Sequence, residues 1–250
     1  MILESVPVRS PEYLERALVG WIRRKVSEAG ALGGVVGLSG GVDSAVVAAL
    51  LMRAFGRGGS LGVLMPCHSM SSDEEDAWLV ASALGIPALK VDLSSPFDSM
   101  LEALSLGGVE MSQMSRANIK PRLRMTTLYA IAQGRNFLVC GTGNRAELTY
   151  GYFTKYGDSG VDILPLSRLL KHEVWALAEF LGVPERVIKK PPTAGLWEGQ
   201  TDEEEMGVTY LHLDLFAAGL PVSEEAQERI EAAFRRSAHK RMMPPGPEML

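Results

Sequence analysis

Between Gly34 and Cys140 the chain alternates short apolar runs with stretches of helical periodicity, and this alternation narrows the possible folds more than any other feature. The apolar runs are Gly34–Leu38, Leu61–Met65, Ala88–Val91 and Phe137–Cys140. Helical patterns separate them at about Asp43–Phe55, Ser72–Leu84, Pro96–Leu104 and Met114–Gln133. A helix between two strands returns the chain to the same end of the sheet, so the strands pair in parallel. The predicted class is α/β, a doubly wound and mostly parallel sheet with helices on both faces. Ligands of such sheets bind beyond the carboxyl ends of the strands. The places to look are therefore just after Leu38, Met65 and Cys140.

A helix precedes the first strand, from Pro11 to about Ala29, with Ser10 as N-cap and Pro11 at the first helical position. After Cys140 the pattern is less regular. Gly151–Leu164 and Pro191–Glu205 read as loops, the second of them mobile, and His172–Leu181 and Ser223–Arg236 read as helices. The Pro-rich end, Met243–Leu250, reads as frayed. No internal repeat is present, and residues 1–250 are expected to form one domain.

Of the 250 residues 46% are hydrophobic and 22% charged, and the net charge is −5, which excludes a disordered or fibrous chain. Without a basic excess, nucleic acid is not the expected main ligand. The first residues do not read as a signal peptide, and no apolar stretch reaches membrane-spanning length. The two cysteines, Cys67 and Cys140, are far apart and form no C-x-x-C pair, which fits a cytoplasmic protein.

The strongest local signal is Gly37-Leu38-Ser39-Gly40-Gly41-Val42-Asp43-Ser44, between the first strand and the next helix. Gly40 and Gly41 let the backbone turn sharply and come close to an anion. The free N–H groups at the helix start attract negative charge, and Ser39 and Ser44 add hydroxyl donors. The spacing is not that of a Walker A loop, and no lysine lies in the turn. Asp43 would repel a phosphate unless a cation stands between them, so a divalent metal, Mg²⁺, is implied. Read structurally, the same segment is a glycine-rich connection with Asp43 as a first-turn acid.

The turn resembles the S-G-G-x-D-S signature of the N-type ATP pyrophosphatases, whose fold is adenine nucleotide α-hydrolase-like. These enzymes cleave ATP to AMP and pyrophosphate and adenylylate an oxygen of a second substrate. Further stretches narrow the resemblance to the NAD synthetases. Asn118-Ile119-Lys120-Pro121-Arg122-Leu123-Arg124-Met125 resembles that family's N-x-K-x-R-x-R-M, with Pro121 where relatives usually carry Ala. Cys140-Gly141-Thr142-Gly143-Asn144-Arg145-Ala146-Glu147 resembles its G-T-x-x-x-x-E, although Asn144-x-x-Glu147 also has capping-box spacing. Gly151–Leu166 resembles G-x-x-T-K-Y-G-D-x-x-x-D-x-x-P-L, the most specific stretch of the chain. Lys171, the Lys189–Ala194 stretch and His239-Lys240-Arg241-Met242-Met243-Pro244-Pro245 follow in matching order.

The resemblance implies ATP at residues Gly37 to Ser44, Thr142, Lys171 and Thr193, and Mg²⁺ on Asp43 and Glu147. It implies deamido-NAD at Arg122, Lys155, Asp162, His239 and Lys240. Asp158 is the candidate for positioning ammonium or taking its proton, so the catalytic set is Asp43, Asp158 and Lys171. The expected reaction is amidation of deamido-NAD with ammonia through an acyl-adenylate, giving NAD, AMP and pyrophosphate. The form resembled is the ammonia-dependent one, a homodimer without a glutaminase domain. The rival readings are another adenylylating enzyme of the same superfamily and a non-catalytic ATP-binding module. The module would need the turn but not Glu147, Lys155 or Lys171.

Overall fold

The computed structural model describes residues 6–193, 195 and 199–247. Four parallel strands form the sheet: β1 (Gly33–Gly37), β2 (Ser60–Leu64), β3 (Ala88–Lys90) and β4 (Phe137–Val139), in the order β3-β2-β1-β4. Helices α1 (Pro11–Glu28), α2 (Val42–Phe55), α3 (Ser71–Leu84), α4 (Ser94–Leu106), α5 (Gln113–Ala117) and α6 (Ile119–Arg135) accompany them in chain order. Beyond β4 come α7 (Arg145–Tyr150), α8 (Lys171–Phe180), α9 (Glu185–Ile188), α10 (Asp202–Met206), α11 (Tyr210–Ala217) and α12 (Glu224–Arg236).

The strand order follows from the sequence pattern. The chain winds outward from β1 through β2 to β3, then returns past β1 to β4, which makes the β1/β4 gap the switch point. Val35 and Val36 are adjacent in β1 and point to opposite faces, as a period of two requires. Val36 joins a core with Ile22, Leu50 and Leu177, from α1, α2 and α8, whereas Val35 joins one with Phe97 and Leu128, from α4 and α6. All of these are buried, and each aliphatic side chain so placed contributes about 1.5–3 kcal/mol. Cys140 bridges to Ile163 in parallel, extending the sheet past β4 by one residue pair. Among the described residues no helix is long and apolar enough to cross a membrane. Cys67 and Cys140 are both free and buried.

Several expectations are corrected. The helix expected over Met114–Gln133 is two helices, α5 and α6, hinged at Asn118. Pro121 has no N–H to donate to the carbonyl of Ala117, so one helix cannot run through this point. Pro191–Glu205 is not all loop, because α10 begins at Asp202 with four acids in its first turn, where the helix dipole favours them. Ala194 and Trp197 lie outside the described residues. Helices α9 and α11 have no counterpart among the sequence expectations, whereas α7 begins at the capping box that the Asn144-x-x-Glu147 spacing offers. The cap at Ser10 forms as expected, its oxygen accepting from the Tyr13 N–H, and Ser223, read as the first residue of the last helix, is its N-cap and accepts from the Ala226 N–H.

Candidate active site

The carboxyl ends of β1, β2 and β4 open into a cavity of about 680 Å³. On one wall is the turn that joins β1 to α2. Gly40 has φ +78°, and a Cβ there would lie 2.4 Å from the carbonyl oxygen of Asp73. Only glycine meets both conditions, and this close approach lets the turn lie flat on α3. Ser44 Oγ donates to the Gly41 carbonyl and accepts from the Ser39 N–H, which holds the turn open toward the cavity. Gly37, Leu38, Ser39, Gly41, Val42, Asp43 and Ser44 all line the cavity.

Asp43 stands at the start of α2 and is gripped from two sides. Asn144 Nδ2 donates to its Oδ1 at 3.0 Å, and Lys171 Nζ to its Oδ2 at 2.5 Å. Asn144 also makes the anticipated capping box with Glu147, so one residue both starts α7 and orients Asp43. Glu147 is half-buried with its carboxyl toward the cavity. Burial first, and the negative charge of Asp43 second, push that carboxyl well above the usual range, against the pull of Lys171. Lys171 is 1% exposed, not the solvated lysine a lone residue in a sequence would suggest. Burial tends to strip its proton, but Asp43 and Glu147 outweigh this and hold it charged.

The opposite wall carries the stretch Gly151–Gly160. Asp158 is exposed at the cavity and accepts from the Thr154 N–H at 2.8 Å, and the protein atoms crowded about its carboxyl push it up. Arg122 donates to the carbonyls of Asn118 and Lys155, and Lys155 donates to the carbonyl of His239 at 2.7 Å. Lys240 donates to the carbonyls of Gly151 and Phe153. Thr142, Thr193, Arg122, Lys155, Asp158, His239 and Lys240 thus share one cavity with Asp43, Glu147 and Lys171. Two of the expected residues do not line it. Gly40 lies beneath the turn. Asp162 spends its oxygens on the backbone N–H of Val139 (2.7 Å) and the hydroxyl of Tyr129 (3.0 Å), fastening the chain beyond β4 to the sheet.

Several lining residues carry no site role in the sequence reading, among them Arg124, Lys190, Asp202 and Tyr152. Arg124 donates to the Met65 carbonyl and, at 3.4 Å, to the Ser69 hydroxyl. Lys190 bridges Asp73 and Asp76 at 2.8 and 2.6 Å. Asp202, 4% exposed, accepts from the Tyr210 hydroxyl through Oδ2 and has no hydrogen-bond partner for Oδ1 among the described residues. Tyr152 donates to Glu205, and Gln200 donates to Tyr152. Arg124 and Lys190 stand inside the motif stretches and could have been found there, whereas Asp202 sits in a segment that reads only as loop.

The donor set can be tested against Mg²⁺. Among the described residues no three His, Cys, Asp or Glu side chains are grouped closely enough to hold a metal alone. Mg²⁺ is usually bound through one or two carboxylates together with substrate phosphates and water. Two hard oxygen donors, Asp43 and Glu147, beside a phosphate-sized turn fit that habit. Their joint charge exceeds that of Lys171, and the excess adds to burial in raising the carboxyl of Glu147.

Residues 14–244 match the NAD synthase family model. An NH(3)-dependent NAD(+) synthetase of Carboxydothermus hydrogenoformans is 51% identical over 92% of this chain and 95% of its own length. Among solved structures, an NMN synthetase from Francisella tularensis overlays with a TM-score of 0.92 at 39% identity, covering 96% of this chain and all of that one. An NH3-dependent NAD synthetase from Campylobacter jejuni subsp. jejuni overlays at 0.79 with 29% identity, covering 96% of this chain and all of that one.

Proposed function

The chain belongs to the NAD synthase family and is a ligase that amidates deamido-NAD with ammonia at the expense of ATP, and from that premise we propose how its residues divide the work. The reaction joins an anionic carboxylate to an anionic triphosphate, so neutralising charge is the main task. The nicotinate carboxylate attacks the α-phosphorus, pyrophosphate leaves, and ammonia displaces AMP from the adenylylated carboxyl.

In this reading the backbone N–H groups of the Ser39–Ser44 turn receive the departing pyrophosphate, with Thr142, Thr193 and the Lys171 ammonium beside it. Lys171 already sits charged at the mouth of that turn. Asp43 and Glu147 hold Mg²⁺, which when bound supplies positive charge to the phosphates. Arg122, Lys155, His239 and Lys240 hold the dinucleotide on the opposite wall. Only neutral ammonia is a nucleophile, and Asp158, exposed at the cavity with its carboxyl raised by the protein atoms around it, is placed to accept a proton from ammonium. No protein nucleophile is needed. Asp162 acts at one remove, keeping Val161 and the loop before it against the cavity.

The single observation that carries this reading is the Asp43–Lys171 pair beside Glu147, at the switch point and facing the glycine turn. The homodimer, the cytoplasmic location and the lack of a nucleic-acid partner belong to the same proposal. The acidic balance and the two free, buried thiols support the last two. The test is to supply deamido-NAD labelled with heavy oxygen in its nicotinate carboxylate, together with ATP, Mg²⁺ and ammonium. The label is expected in AMP, one atom per turnover. Label absent from AMP, or carried into pyrophosphate, would contradict direct attack on the α-phosphorus.

A second substrate has an observation behind it, the 0.92 overlay on the Francisella tularensis NMN synthetase. Amidation uses only the nicotinate carboxylate, and the mononucleotide carries the same group without the adenylate half. Lys155 and Lys240, which would otherwise meet phosphates, are engaged with backbone carbonyls. Comparing kcat/KM for nicotinate mononucleotide and deamido-NAD decides between them, and a ratio above one would make the mononucleotide the preferred substrate.

A further inference from the structure

The buried ammonium of Lys171 has an unusual setting. Among the described residues its Nζ pairs with a single carboxylate, Asp43 Oδ2 at 2.5 Å. On another side it lies 4.8 Å from the centroid of the Tyr210 ring. Tyr210 is 1% exposed and begins α11, the helix that sequence periodicity does not reveal. Its hydroxyl donates to Asp202 Oδ2 at 2.8 Å, and Trp175 of α8 meets the ring edge to face at 6.4 Å. From the same helix, fully buried Asp214 accepts the backbone N–H groups of Lys171 and His172 at 2.8 and 2.9 Å. Thus α11 fixes the Lys171 backbone with one residue and faces its ammonium with another.

We infer that Tyr210 is a positioning residue for the adenylylation step: its ring holds the Lys171 ammonium at the phosphate turn, and Asp202 fixes the ring. The inference rests on the placing of Lys171 at the phosphates of ATP. The chemistry favours an aromatic face over a second carboxylate. A carboxylate would occupy N–H donors and cancel charge that the leaving pyrophosphate needs. A ring attracts the cation through its quadrupole and takes no donor, and the attraction is strongest where water is excluded. Were Asp43 to hold a metal with its oxygens, Lys171 would give up that carboxylate contact, and the ring would still hold it in register.

The test uses the full chain, with Tyr210 replaced by phenylalanine and then by phenylalanine bearing increasing numbers of ring fluorines. Fluorination weakens the face of the ring while keeping its shape. Each ring is paired with wild-type Lys171 and with Lys171→Met, and ATP affinity and kcat are measured. With Lys171 present, Tyr210→Phe, which gives up the hydroxyl that Asp202 holds, is the reference for the fluorinated series. Full fluorination is expected to cost roughly 2- to 30-fold, graded with fluorine number, at an unchanged melting temperature. With Lys171→Met the same series is expected to be flat. A flat series with Lys171 present, or equal slopes in both backgrounds, overturns the inference while leaving Lys171 at the phosphates. If Lys171→Met itself leaves ATP affinity and kcat unchanged, the placing of Lys171 fails and the inference falls with it.

Discussion

Glu147→Gln should make the protein more stable and less active, and the structure sets the size of the gain. The substitution keeps the cap of α7, because a glutamine oxygen can accept the Asn144 N–H that Glu147 Oε2 now accepts. It removes a charge whose carboxyl is pushed well above the ordinary glutamate range, first by burial and then by Asp43. Each tenfold change in a carboxyl's acidity corresponds to about 1.4 kcal/mol. The carboxyl faces a cavity that admits water, which screens it, so a gain of about 1–2 kcal/mol is expected rather than a full desolvation energy. For a chain of this size that raises Tm by about 2–8 °C. The sign with pH follows from the raised carboxyl. Its contribution to stability is complete below the unfolded-state pKa and is lost as pH rises through the higher folded-state value. The advantage of Glu147→Gln is therefore absent near pH ~4, the ordinary glutamate range, grows as pH rises, and levels off once Glu147 is ionised in the fold. Thermal melts of both proteins in chelator across this range measure it, and Mg²⁺ with ATP should reverse the order by stabilising the wild type more. A variant less stable than wild type at mildly alkaline pH, or an advantage that shrinks as pH rises, would refute the reasoning.

Asp43→Asn is expected to lower kcat at least a hundredfold at saturating Mg²⁺, and near wild-type turnover in the pyrophosphate-release assay would show that the carboxylate is not needed. Lys155→Ala should raise KM for deamido-NAD more than KM for ATP, measured by varying each substrate at a saturating level of the other, and equal effects would move Lys155 out of the dinucleotide site. Gly40→Ala should weaken ATP binding at least tenfold in calorimetry, because a Cβ meets the Asp73 carbonyl at 2.4 Å and φ is positive; unchanged affinity would mean the turn tolerates displacement from α3. Asp162→Ala should lower Tm by about 2–8 °C, for two hydrogen bonds at the sheet edge worth about 1–2 kcal/mol together, with a smaller proportional change in KM for either nucleotide.

The sheet is legible in the sequence because each strand is a short apolar run bounded by turn residues, and the parallel order follows once helices separate the runs. The glycine turn is legible because a backbone that must pass 2.4 Å from where a Cβ would stand allows few residue types. Helix α11 is not. Its apolar residues Tyr210, Leu213 and Leu215 pack on more than one side, so no single hydrophobic stripe marks it. The break at Asn118 is half visible: Pro121 announces a helix start, but the matching periodicity on both sides of Asn118 suggests continuity. Asp162 shows another limit. The motif that contains it marks a residue the fold uses, and only the structure reveals that its oxygens are spent on Val139 and Tyr129. Asp202 is the converse case, an acid in an acidic loop whose burial against Tyr210 depends on a contact eight residues away.

A crystal structure with a non-hydrolysable ATP analogue and Mg²⁺ tests the assignment of the phosphate turn most directly. The β- and γ-phosphates are expected at the N–H groups of Ser39–Ser44, the Lys171 ammonium on a phosphate oxygen, and the metal between those phosphates and the carboxylates of Asp43 and Glu147. A triphosphate bound anywhere else, with the turn empty and Lys171 still paired only to Asp43, would contradict it.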